Sequence, residues 1–150
     1  TGGYWSTYWY NGRIYGTEIS RGLDVFELQP NDYLTADEIA AASLPELKGR
    51  VNAQTQEIIE WPAVPVVARA YLDQLRRDDT ISAADASALE SALDRAQALL
   101  NGGSANRGNT ERDLTDLAEQ FASGAGNYRG ITGVRYASLA ETLEGIAESL

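Results

Sequence analysis

Six aromatic side chains crowd the first fifteen residues, Tyr4, Trp5, Tyr8, Trp9, Tyr10 and Tyr15, and they are the chain's first candidate for chemistry. Rings in such number can form a platform for a sugar ring or a proline-rich peptide. They can equally supply packing area against another layer of structure, which is the commoner use of aromatics. Strict strand alternation places Tyr4, Ser6, Tyr8 and Tyr10 on one face and Trp5, Thr7 and Trp9 on the other. These six residues are the expected ligand- or partner-binding set.

Charged residues offer less. Glu18, Arg21 and Asp24 flank a turn and suit either a cation site or a polar network; a surface ion pair there contributes only ~0–1 kcal/mol. Asp78, Asp79 and Asp85 provide oxygen ligands of the kind calcium takes, but the segment lacks the glycine and the closing glutamate of an EF-hand loop. Ser82 and Asp85 are better explained as helix-capping residues. Thr1 has the type of an N-terminal threonine nucleophile, with a chain boundary as the simpler account. Neither Gly2-Gly3 nor Gly102-Gly103 is followed by the Lys and Ser/Thr of a phosphate loop. No metal, cofactor or catalytic set is expected.

Composition narrows the field further. Histidine and cysteine are absent from the 150 residues, which removes the Ser-His-Asp relay, imidazole-bound zinc and thiol chemistry from within this chain. The formal net charge of −10 opposes binding to nucleic acid or to anionic membrane surfaces. No apolar run approaches the ~20 residues that span a bilayer, so no membrane insertion is expected.

The elements that must position these residues follow from pattern. Asn11-Gly12 between aromatic and β-branched runs is a strong two-residue hairpin signal. Strands are expected near 4–10, 13–19 and 23–28, the last buried on both faces or nearly so. Three short strands leave open edges and an uncovered face, so the segment reads as a part of a larger β structure. Thr35 and Glu38 form a capping box for a short helix to about Ala42. Residues 44–64 read as a connector, with Glu57–Trp61 either strand or helical turn.

From Pro65 the pattern is helical. Expected helices run from Pro65 to about Arg77, with Val67, Tyr71 and Leu75 inward, and from a Ser82 cap to Gly102-Gly103, with Ala86, Leu89, Leu93, Ala96 and Leu100 inward. A third is capped by Thr110 with Asp113 and buries Leu114, Leu117, Ala118 and Phe121. A fourth lies near 134–149 with Leu139, Leu143, Ile146 and Leu150. The expected class is α+β: a three-stranded antiparallel, blade-like meander with a short helix (1–43), the connector (44–64) and a four-helix bundle (65–150).

Asn11-Gly12-Arg13-Ile14-Tyr15-Gly16-Thr17 followed by Gly22-Leu23-Asp24-Val25-Phe26-Glu27-Leu28 resembles the final blade of the LVIVD-repeat proteins, which are secreted or envelope-attached bacterial β-propellers common in actinobacteria. The resemblance spans Trp5–Leu28. It implies a last blade followed by a helical module, a secreted or cell-envelope location, and binding or scaffolding rather than catalysis. Since a propeller has four or more blades, it also implies that the strands pair with the remainder of a parent chain or with another protein subunit. The alternative is a fragment of an extracellular enzyme whose active site lies in other blades.

Overall fold

The computed structural model describes residues 2–45 and 59–150. The chain divides into two compact units, Thr1–Trp61 and Pro62–Leu150. The first holds a three-stranded antiparallel sheet in the order β1-β2-β3 and one helix, and the second holds four helices. The class is therefore α+β.

In the first unit, β1 (Tyr4–Tyr10), β2 (Arg13–Glu18) and β3 (Gly22–Phe26) form a meander. Asn11 and Gly12 take positive φ of 45° and 81°, the geometry of a two-residue hairpin turn whose twist matches the flanking strands. The register runs Tyr10 opposite Arg13 and Tyr8 opposite Tyr15 up to Ser6 opposite Thr17, then slips so that Tyr4 lies opposite Glu18. Trp5 is the inserted residue of this bulge. An extra residue reverses the facing of everything beyond it.

Strand β3 departs from expectation. Leu23, Val25 and Phe26 are 61%, 53% and 40% exposed, so the strand is buried on neither face. Its alternation is apolar on both sides, yet neither side of it is closed off among the described residues. Helix α1 (Ala36–Ala42) starts as the capping box requires: the Glu38 amide donates to Thr35 Oγ1 at 3.2 Å and the Thr35 amide donates to Glu38 Oε2 at 2.8 Å. Of the expected connector, residues 46–58, including Glu57 and Ile58, lie outside the described residues.

In the second unit, α2 (Pro65–Arg77), α3 (Ala83–Leu100), α4 (Arg107–Ala125) and α5 (Ile131–Ser149) close into a ring. Each helix packs on the next, and α5 returns onto α2. Leu72, Leu75, Leu89, Leu93, Leu114, Leu139, Leu143 and Ile146 are at most 1% exposed. Alanines at 68, 92, 96, 118 and 140 let the helices approach closely. Arg69–Asp94, Arg76–Glu90 and Arg95–Asp113 pair across helix neighbours.

Two helix starts and the exposure of one leucine differ from the sequence pattern. Helix α4 starts at Arg107 with Asn106 as its cap, Asn106 Oδ1 accepting from the Asn109 amide at 2.9 Å. Thr110 is inside that helix and fully buried, its hydroxyl donating to the Asn106 carbonyl. Helix α5 starts at Ile131, three residues before 134, after Gly130 turns the chain at φ 68°. Leu100, at the end of α3, is 44% exposed because the last turn overshoots the core.

Candidate functional site

The bulge at Trp5 sorts the six aromatics differently from simple alternation. On one face of the sheet the cross-strand rows are Trp9–Ile14–Phe26, Thr7–Gly16–Asp24 and Tyr4–Glu18–Gly22. On the other they are Tyr8–Tyr15–Val25 and Ser6–Thr17–Leu23, with Tyr10 opposite Arg13. Tyr4 therefore shares a face with Thr7 and Trp9, opposite Ser6, Tyr8 and Tyr10. The six residues do not form one platform. Trp5 stands at the bulge, 76% exposed.

The Tyr4 face is organised by polar contacts. The Tyr4 ring lies over Gly16, where a Cβ would sit 2.9 Å from it, and meets Phe26 edge-on at 5.7 Å. Its hydroxyl donates to Asp24 Oδ2 at 2.6 Å, and Arg21 donates to the same oxygen at 2.7 Å. Asp24 is held below the usual carboxylate range by those two donors, and Tyr4 is raised chiefly by the same Asp24 hydrogen bond. Beside them Glu18 is only 6% exposed. Glu18 Oε1 accepts from the Gly3 amide at 3.1 Å; Oε2 accepts from Ser20 and Arg21 amides at 2.7 and 2.6 Å. The Arg21 amide is the first cause of its lowered pKa, against the raising effect of burial.

Glu18, Arg21 and Asp24 thus form the polar network, joined by Tyr4. Among the described residues no group of three metal-ligating side chains comes together. At the other end of this face Trp9, Asn11 and Leu28 line a mainly apolar pocket of about 200 Å³ with Ala42, Pro45, Ile59 and Trp61.

The opposite face carries an exposed apolar patch. Tyr8, Val25 and Leu23 are 47%, 53% and 61% exposed and lie in adjacent rows. Tyr10 and Tyr15 meet edge-on at 6.3 Å. Arg13 pairs with Glu27 at 2.9 Å at the end of the patch, and Ser6 and Thr17 share a hydroxyl contact. Strands β1 and β3 are each paired on one side among the described residues. An exposed apolar face between open edges is suited to contact with another sheet or strand.

In the helical unit two of the three acidic residues of the calcium reading, Asp78 and Asp85, are engaged separately. Asp78 pairs with Arg135, while Asp85 accepts from Ser82 and from Gln120 at 2.8 Å. Tyr128 and Tyr136 stack at 4.8 Å, and both hydroxyls donate to the Thr80 carbonyl, at 2.9 and 2.6 Å. Burial, with Tyr128 alongside, pushes Tyr136 up to about 12. These contacts tie the α2–α3 turn to α5. Thr1 lies outside the described residues.

Sequence reasoning missed the burial of Glu18. A glutamate at a strand end three residues before the arginine of a tight turn is the only signal, and it is shared with ordinary surface glutamates. No helix among the described residues is long and apolar enough to cross a membrane. No family model, no curated protein and no solved structure matches this chain.

Proposed function

We propose that this chain is a non-enzymatic binding or scaffolding part of a secreted or cell-envelope protein of propeller type, whose meander docks onto further β structure. That structure belongs to its own parent chain or to another subunit. The observation that carries this reading is the row Tyr8–Tyr15–Val25, exposed at Tyr8 and Val25 and bordered by the exposed Leu23, on a sheet whose two outer strands are each paired on one side among the described residues. Aromatic and branched side chains in register on a pleated face fit a second pleated face, as in stacked blades. Unpaired strand edges fit strand addition.

The test is hydroxyl-radical footprinting of the protein as isolated from its source, beside the 150-residue chain alone, with intact masses of both. Tyr8, Leu23 and Val25 are expected to be protected in the native material, while Tyr33, 83% exposed, labels equally in both. The native mass is expected to exceed 16.2 kDa, or a second chain to be bound. Equal labelling of the three residues, or a native monomer of 16.2 kDa, overturns the proposal.

A further inference from the structure

We infer that Glu18 is an acid-releasable clasp on the open end of the meander. The β1–β2 pair has two ends of different kinds. At one, Asn11 and Gly12 join the strands through the chain itself. At the other, Tyr4 lies opposite Glu18, and nothing covalent holds β1 in place. The Glu18 carboxylate supplies the missing connection. One oxygen accepts from Gly3, ahead of β1, and the other from Ser20 and Arg21 in the β2–β3 turn. A single side chain therefore fixes three segments at once, beside the hydrogen bond that the Ile19 amide donates to the Gly3 carbonyl at 3.1 Å.

The fit is close. A Cβ on Gly2 would fall 2.0 Å from Glu18 Oε1, so the backbone is pressed against the carboxylate. Three N–H donors on two oxygens favour the ionised form, which accepts at both oxygens and donates at neither. A neutral carboxyl carries a proton on one oxygen and is the poorer acceptor there, so in a site 6% exposed the amide bond to that oxygen is weakened. Among the described residues, the charged and titratable groups around it are Arg21, whose Nε is 4.0 Å from Oε2, Tyr4 on β1, and Asp24 on β3, which reaches it through Arg21. Arg21 stays cationic throughout. Asp24 is itself lowered, so acid loosens both carboxylates of this end together.

The direction of the effect follows. Glu18 in the folded chain lies below its ordinary 4.5, so the clasp is fully closed above that value. Its contribution is lost as pH falls below 4.5 through the folded value. Release then begins at Gly3 and Tyr4 and leaves the Asn11-Gly12 end paired, which bares the β2 edge from the Glu18 end. The inference stands whether or not the outer face meets a partner.

The test is residue-resolved amide exchange on the full chain at pH 7 for wild type, Glu18→Gln and Gly2→Ala. The glutamine keeps the shape and removes the charge. The alanine keeps the charge and drives its Cβ into Oε1. Both variants are expected to lose protection at least about tenfold at Gly3, Ser20 and Arg21, with amides near the hairpin turn and in α2–α5 unchanged. Wild type taken to pH 3 should lose the same three first. Glu18→Gln with wild-type protection at those amides overturns the clasp. So does Gly2→Ala opening the whole sheet evenly, and so does wild type losing sheet and bundle together in acid.

Discussion

In the bundle, eight leucine and isoleucine side chains are at most 1% exposed, and the alanines between them bring the helices close. In the meander, the strand residues that leave solvent are a glycine and a glutamate, Gly16 and Glu18, while Trp5, Leu23 and Val25 remain more than half exposed. One unit is ordered by removing hydrocarbon from water, at ~25 cal/mol per Å². The other is ordered by hydrogen bonds and paired charges that converge on Glu18 and Asp24. Aromatic content alone would rank the two units the other way. The contrast shows that a cluster of rings stabilises only when something covers it, whereas small leucines and alanines in a closed ring cover one another. It also shows where each unit is vulnerable: the bundle to lost volume, the meander to lost charge.

The sharpest way to break this contrast is Leu93→Ala, which removes a fully buried side chain at the centre of the bundle. It should cost the bundle about 2–5 kcal/mol in urea unfolding followed by helical circular dichroism. Amide protection in the meander is expected to stay the same; a matching loss there would mean the two units unfold as one. A smaller effect lies at high pH. Tyr136 titrates near 12 in the fold against 10.0 ordinarily, so the folded state favours its neutral form. That contribution is present below pH 10 and lost as pH rises from 10 through 12, on the order of 2 kcal/mol. Tyr136→Phe should flatten this alkaline fall in the bundle's urea midpoint, and an unchanged fall would assign it elsewhere. The smallest is Ser82→Ala, which removes the hydroxyl that accepts from the Asp85 amide at 3.0 Å. It should lower bundle stability by about 1 kcal/mol in the same assay.

Legibility followed how local the physics is. The starts of α1, α2 and α3 were readable because Thr35 with Glu38, Pro65, and Ser82 with Asp85 each act within one turn. The start of α4 was misassigned because Thr110 and Asp113 have the spacing of a cap. The true cap, Asn106, sits in a run of Gly, Ser, Ala and Asn that has loop composition. Most buried leucines of the bundle are readable from periodicity; Leu72, 1% exposed beside the half-buried Tyr71 that the pattern points inward, is not, and neither is Leu100, where the period outlasts the neighbours it packs on. In the sheet the hairpin turn was legible and the facing of Tyr4 was not. The slip at Trp5 is decided by pairing with β2, and no residue in Tyr4–Tyr10 announces it. Glu18 was hidden for a related reason: its burial is made by Gly3 and Arg21, which are distant from one another in sequence and meet only once the meander forms.

Gly145 of α5 rests on Ala63, where an added Cβ would stand 2.5 Å from the alanine's own. The two residues are near opposite ends of the helical unit, so the polypeptide enters and leaves that unit at neighbouring points. A unit with adjoining entry and exit is a cassette: it can be seated within a surface loop of another protein without stretching its host. It can equally be rewired. A short linker from Leu150 back to Pro62, with new ends opened at Gly102-Gly103, leaves all four helices and their ring of contacts in the same order around the core.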